Sequence, residues 1–119
     1  MRRHIGTILA ACSLLLAAVP AVAATPSVAA TPSFRGTVGP GETISVSPKP
    51  TKAGTYRLTV RDRSPEHNFH LRGPGVNVAT GIGAVGTKTF TIKLKRGKTY
   101  TFVCDPHADE MRGSFKVRA

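Results

Sequence analysis

The chain has 119 residues, 40% of them hydrophobic, and a formal net charge of +11 at pH 7. This length allows one domain and leaves little room for a second. The positive charge favours acidic partners or anionic surfaces. Nucleic acid is not an expected partner, because the chain carries a predicted export signal and no motif that combines basic and aromatic residues.

Residues 1–24 have the three parts of a secretory signal peptide. A basic start, Met1–His4, precedes a mostly apolar run from Ile5 to Val19, and small residues follow it up to Ala24. The run is shorter than the roughly 20 residues that a membrane span needs. We therefore predict cleavage after Ala23 or Ala24, export to the periplasm, cell envelope or extracellular space, and no transmembrane span in the mature chain.

Two other fates of this leader are considered. Leu9–Cys12 resembles a bacterial lipobox, in which Cys12 would carry a lipid anchor, and the leader could also remain as an uncleaved anchor. The apolar run continues past Cys12 through Leu14–Leu16, and few residues precede it, so cleavage without lipidation is favoured. The mature chain then keeps one cysteine, Cys104, which has no partner for an internal disulfide.

The remainder divides into a linker and one domain. Residues 25–33 are rich in Ala, Thr, Pro and Ser and cannot bury enough surface to order themselves. Residues 34–119 contain short segments in which apolar and polar residues alternate, as in strands with one buried face. Such strands are predicted at Thr43–Ser47, Thr55–Arg61, Thr89–Lys95, Tyr100–Cys104 and Phe115–Val117. We predict an all-β, antiparallel sandwich or barrel of seven or eight strands, in which the glycine-rich residues 72–87 form a loop with room for a short strand.

Three soft or borderline metal donors follow one of these strands closely. Cys104, His107 and Met111 offer a thiolate, an imidazole and a thioether, a set that suits copper cycling between two oxidation states. A plane of two histidines and one cysteine with a long axial methionine is the blue-copper pattern. The loop after Cys104 would supply three ligands, and another strand must supply the fourth.

The fourth ligand is either His67 or His70. If the segment is a regular strand, His67 shares the apolar face with Phe69 and Leu71, whereas His70 shares the opposite face with Asn68. A ligand at the end of a buried core should lie on the core side, so His67 is favoured. A β-bulge would invert this assignment, and His70 therefore remains the alternative.

These residues together resemble the cupredoxins, and most closely the plastocyanin, pseudoazurin and amicyanin branch. The resemblance rests on His67–Phe69, Tyr100–His107 and Met111–Gly113, and it covers about residues 34–119. It implies an eight-stranded Greek-key sandwich that binds one mononuclear type 1 copper. By position, His67, Cys104 and His107 would be equatorial ligands and Met111 the axial ligand. Asn68 would match the family residue whose backbone N–H points at the thiolate.

The resemblance implies one-electron transfer between redox partners by an exported monomer, and the positive charge predicts acidic docking surfaces on those partners. The alternative is copper binding or delivery without a redox role. An enzyme is not expected, because additional copper-binding histidines are missing and Val103 and Asp105 flank Cys104. Two simpler interpretations stay open: Met111 as a packing residue and Cys104 as an inert buried thiol. A further hypothesis is that Asp105, Asp109 and Glu110 lower the reduction potential.

Overall fold

The computed structural model describes residue 6, residues 10–26 and residues 29–119. Described residues before Ser33 are exposed and form no helix or strand. The predicted signal peptide falls partly outside the described residues, since residues 1–5 and 7–9 are not among them, and Cys12 is exposed. Within the described part of the chain, no helix is long and apolar enough to cross a membrane.

From Ser33 onward the chain forms eight strands and a single turn of 3-10 helix, Asp105–His107. The strands are β1 Ser33–Val38, β2 Ile44–Ser47, β3 Gly54–Asp62, β4 His70–Gly73, β5 Val76–Ala79, β6 Gly86–Leu94, β7 Thr99–Val103 and β8 Arg112–Lys116. They form two four-stranded sheets, with the orders β2-β1-β3-β6 (sheet 1) and β5-β4-β7-β8 (sheet 2). The predicted all-β sandwich is therefore confirmed.

One strand pair differs from the expected antiparallel pattern. β1 and β3 are parallel, while the other paired strands are antiparallel. The reason is the path of the chain: β2 folds back along one edge of β1, and the chain then crosses to the other edge of β1. β3 consequently runs in the same direction as β1. Local alternation cannot reveal such a pairing, because it depends on the crossover.

The core lies between the two sheets and follows the predicted alternation. Leu58 and Val60 of β3 and Tyr100 of β7 are fully buried, and Phe102 of β7 is 3% exposed. Aromatic rings join elements across the core: Phe102 stacks on Phe69 with ring centroids 6.0 Å apart. Burial of side chains of this size supplies the main stabilisation of the sandwich, at about 1.5–3 kcal/mol for each large apolar residue.

Sheet 2 brings the two predicted ligand segments to the same end of the sandwich. β4 pairs with β7 so that His70 lies opposite Val103. The segment that precedes β4 and the segment that follows β7 therefore leave the sheet side by side. In the glycine-rich stretch the structure has one short strand, β5, which pairs with β4 at the edge of sheet 2.

Candidate metal centre

Cys104 occupies the junction between β7 and the 3-10 turn. Its side chain is completely buried, and its backbone is extended, with φ −94° and ψ 118°. Pro106 lies within the first turn, where its missing N–H costs no hydrogen bond. The turn brings His107 back beside Cys104, and the His107 N–H donates to the Cys104 carbonyl at 3.1 Å.

Backbone hydrogen bonds close the loop that follows His107. The Met111 N–H donates to the His107 carbonyl at 2.8 Å, and the Cys104 N–H donates to the Met111 carbonyl at 3.0 Å. Met111 is thereby held next to the two predicted ligands, and its side chain is 1% exposed within the core cluster. The three-residue gap before Met111 thus folds as a compact turn.

His67 reaches the same end of the sheet through two consecutive side-chain-to-backbone bonds. The Ser64 N–H donates to Asp62 Oδ1 at 2.9 Å, and the Glu66 N–H donates to Ser64 Oγ at 3.3 Å. These bonds fold the chain after β3 into turns, a use to which Asp and Ser side chains are well suited. His67 emerges from them with 3% exposure.

The structure brings three of the predicted ligands together. His67 Nδ1 lies 3.0 Å from His107 Nδ1, and Cys104 Sγ lies 3.6 Å and 3.7 Å from these two nitrogens. The two imidazole rings are at 77° to each other. With metal–nitrogen distances of about 2.0–2.1 Å and a metal–sulfur distance of about 2.3 Å, donors around one ion lie about 3–4 Å apart. The donor set and its spacing fit one metal ion.

His70, the alternative fourth ligand, lies outside this group. Its Nδ1 is 2.9 Å from Asp105 Oδ1, and its Nε2 is 2.6 Å from Asn77 Oδ1. Both ring nitrogens of His70 are therefore engaged with oxygen atoms on the outer side of sheet 2. Of the two candidates, the structure places His67 in the cluster with Cys104 and His107.

Asn68 connects the two ligand segments. Its backbone N–H points at Cys104 Sγ at 3.5 Å, as the resemblance implies. Its side chain accepts from the Asp105 N–H at 2.8 Å and donates to Asp105 Oδ2 at 2.8 Å. The amide of Asn68 thus spans both the main chain and the carboxylate of the neighbouring segment. Contacts of this kind orient metal ligands and tune the metal that they hold.

The carboxylate of Asp105 is the centre of a polar network beside the cluster. It also contacts His70 and, at 3.8 Å, Arg72. Desolvation by itself would raise the pKa of Asp105, but hydrogen bonds from Asn68 and His70 and the neighbouring positive charges outweigh it. The pKa of Asp105 therefore lies below its ordinary value of 3.8.

Sequence reasoning missed three residues that hold this site. Asp62 and Ser64 fold the chain that leads to His67, and the spacing of these two turn-forming residues before the histidine was an available signal. Thr80 follows β5 and is 6% exposed; its hydroxyl accepts from the Phe69 N–H at 2.8 Å, and its carbonyl accepts from the Asn68 amide at 3.3 Å. No local pattern marks Thr80, because it lies in a glycine-rich stretch.

Comparison with known proteins bears on this geometry. A family model described as copper binding proteins of the plastocyanin/azurin family matches residues 50–118. The chain belongs to this family. The match covers β3 to β8 and includes the Cys104–Met111 loop and both candidate histidines. The comparison with curated proteins gives no match.

Membership makes copper the metal of this cupredoxin. The residues present also fit copper on their own chemistry, because a buried thiol and two imidazole nitrogens form the soft and borderline set that copper prefers. His67, Cys104 and His107 are compatible with a single type 1 copper site. The predictions of a cupredoxin resemblance and of a copper cofactor are confirmed.

Proposed function

We propose that this cupredoxin is an exported type 1 copper protein that transfers single electrons between redox partners. The observation that carries the proposal is the convergence of Cys104 Sγ and two imidazole Nδ1 atoms, 3.0 to 3.7 Å apart, in a chain of a copper-binding family. In this proposal His67, Cys104 and His107 are equatorial ligands and Met111 is the axial ligand.

Copper, when bound, supplies a couple between its two oxidation states that accepts and releases one electron. The protein's part is to hold the donors nearly still. Cys104 and His67 are buried, and backbone bonds tie the loop from Cys104 to Met111. Rigid donors favour fast exchange, because little rearrangement accompanies the change in charge. His107 is half-buried and provides the route to the surface.

The remaining proposals concern the whole chain. Residues 1–24 would be removed on export, residues 25–33 would act as a spacer, and residues 34–119 would work as a monomer in the periplasm or outside the cell. Proteins of this family are typically electron carriers rather than enzymes, so we propose no catalytic residues. Removal of residues 1–24 takes away Arg2 and Arg3 and leaves 15 basic and 6 acidic residues, and this net charge of +9 would attract redox partners with acidic surfaces.

The test is addition of Cu(II) to the purified protein, followed by visible absorption and electron paramagnetic resonance spectroscopy. We expect an intense blue colour from thiolate-to-copper charge transfer, a narrow copper hyperfine splitting and a reversible voltammetric couple. A colourless product with an ordinary tetragonal spectrum would refute the type 1 site. Tight Cu(I) binding without a reversible couple would favour copper delivery instead.

Single substitutions test the ligand assignment. Cys104→Ser should abolish the blue colour, because it removes the thiolate, and His67→Ala should weaken or distort the spectrum. His70→Ala is the matched control: His70 lies three residues away, contacts Asp105 and Asn77, and should leave the colour in place. Met111→Leu should keep the colour and change the reduction potential. Retention of the full spectrum by His67→Ala would contradict the assignment.

A further inference from the structure

The outer face of sheet 1 has an unusual composition. Every outward-facing position of β1, β2, β3 and β6 is serine, threonine, arginine or lysine. No acidic, aromatic or aliphatic side chain occupies these positions. Four of them are cations, and all four are exposed: Arg35, Arg57, Arg61 and Lys93. We refer to this surface as the cationic face.

The strand register distributes the four cations evenly. Each lies in a different cross-strand row, and its partners across the sheet are hydroxyl residues: Arg57, for example, lies between Ser33 and Thr91, and Arg61 between Thr37 and Thr87. Successive rows are about 7 Å apart along the strands, and neighbouring strands are about 4.8 Å apart. The cations therefore form a staggered array with spacings of about 8 Å between successive rows.

The surroundings of Arg35 illustrate how each cation of this array is placed among hydroxyl groups. Arg35 lines a surface depression of about 380 Å³ that Phe34 and Pro48 also line, and the hydroxyl residues of its lining are Ser33, Thr37, Ser47 and Thr59. These are its neighbours along β1 and its partners in β2 and β3. A guanidinium surrounded by hydroxyl groups presents several hydrogen-bond donors to phosphate oxygens.

We propose that the cationic face docks onto the surface of an anionic phospholipid bilayer. A protein partner fits this face poorly, because stable protein interfaces have a desolvated core in which aromatic residues are enriched, and this face has none. A bilayer with anionic headgroups needs only a broad array of cations that reaches its negative surface potential. The hydroxyl-lined cations supply both the charge and the donors for headgroup phosphates.

The rest of the fold is consistent with this orientation. The outer side of sheet 2, next to the metal cluster, is not uniformly cationic, because Asp105 of the 3-10 turn lies beside Arg72 of β4. β1, the strand that follows the predicted spacer, belongs to sheet 1. Docking through sheet 1 would leave His107 open to a redox partner. The proposal itself does not depend on bound copper.

The test is flotation of the full-length protein with vesicles of phosphatidylcholine alone or mixed in equal parts with phosphatidylglycerol. The face variant carries Arg35→Gln, Arg57→Gln and Arg61→Gln. The control variant removes the same number of charges elsewhere, by Arg112→Gln, Lys116→Gln and Arg118→Gln, all at exposed positions. All proteins keep the same N-terminal segment, so differences between the variants come from the substituted residues.

Wild type should prefer anionic vesicles, and the preference should weaken as salt is raised. Each surface cation contributes about fivefold to binding at low salt, so the face variant should lose about 100-fold, while the control variant should keep most of the preference. Circular dichroism and thermal melting verify the fold. If the triple variant unfolds, Arg57→Gln with Lys93→Gln, compared with Arg112→Gln with Lys116→Gln, should show a loss of about 25-fold.

Three results would overturn the proposal. Equal losses in the face and control variants would show that only total charge matters. Equal binding of wild type to neutral and anionic vesicles would show that headgroup charge is irrelevant. Binding to soluble polyphosphate without binding to anionic vesicles would assign the face to a soluble polyanion instead of a bilayer.

Discussion

The network around Asp105 makes a quantitative prediction about the copper-free protein. Asp105→Asn keeps the shape of the side chain and the bond from its backbone N–H to Asn68, but it removes the charge. The carboxylate now receives bonds of 2.8 Å from Asn68 and 2.9 Å from His70. An amide offers one acceptor oxygen and turns its NH₂ group toward the other donor, so one of these contacts is lost or weakened.

The expected loss follows from ordinary hydrogen-bond energies. Bonds to charged groups contribute about 1.5–3 kcal/mol, and neutral ones contribute about 0.5–1.5 kcal/mol. Two such bonds would suggest a loss of about 2–3 kcal/mol. The Asp105 side chain is 39% exposed, and solvent screening lowers the value of its charge. We therefore expect the free energy of unfolding at about pH 6 to fall by about 1–2 kcal/mol.

The stabilisation that Asp105 contributes should decrease as the pH is lowered. The pKa of Asp105 in the folded protein lies below 3.8, its ordinary value. The charged carboxylate therefore stabilises the fold above the unfolded-state pKa, and this contribution disappears as pH falls through the folded-state pKa. The free energy of unfolding of wild type should exceed that of Asp105→Asn by the whole expected amount at about pH 6, and by much less at about pH 3.

The assay is urea denaturation of both proteins in the presence of a copper chelator, with the midpoint measured at each pH. Asp109→Asn is the control, because Asp109 is exposed and makes no side-chain hydrogen bond or ion pair with the described residues; its effect should stay within about 0.5 kcal/mol. Equal midpoints for wild type and Asp105→Asn at pH 6, or a difference as large at pH 3, would refute the reasoning.

Three more outcomes are expected. Gly113→Ala would place a Cβ against the ring of Phe102, too close for ordinary packing, and this overpacking should lower the free energy of unfolding by about 1–3 kcal/mol in urea denaturation; Gly81→Ala, whose nearest contact is 3.6 Å, is the control. Copper at 1,000 times its dissociation constant should stabilise the fold by about 4 kcal/mol, seen as a higher melting temperature that a chelator reverses. In voltammetry Asp105→Asn should raise the reduction potential, but only slightly, because His70 and Arg72 already balance the carboxylate; an unchanged or lower potential would contradict the electrostatic hypothesis.

The strands of the core could be predicted because their pattern is local. Alternation in β3, β6 and β7 places Leu58, Ile92 and Phe102 inside, as the structure shows. Each side chain's face depends on its own position in the strand, so no knowledge of partners is needed. The parallel β1–β3 pair and the pairing of β5 with β4 depend on crossovers and on distant residues, which alternation does not encode.

The choice of His67 over His70 illustrates the limit of parity. His67 lies in the cluster, but the segment is not the regular strand that the parity argument assumed. His67, Asn68 and Phe69 are all buried in succession, and β4 begins only at His70. Turns built by Asp62 and Ser64 aim His67 into the site. Strand alternation favoured His67, the residue found in the cluster. The physical cause of its position, however, is the irregular backbone before β4.

The charges of the ligand segments oppose those of the sheets. Four of the six acidic residues lie in the two segments that form the cluster: Glu66, Asp105, Asp109 and Glu110. A protein at a distance from residues 25–119 experiences a net charge of +9, from 15 basic and 6 acidic residues. Within a Debye length of about 8–10 Å, the charges next to His107 in the chain count more than the net charge, and these include Asp105, Asp109 and Glu110. If the redox partner is acidic, as proposed, the net charge would attract it to the molecule as a whole, and short-range contacts would have to select the orientation for electron transfer through His107. The net charge of the sequence therefore supports the proposal of an acidic partner, but it does not predict where on this protein that partner docks.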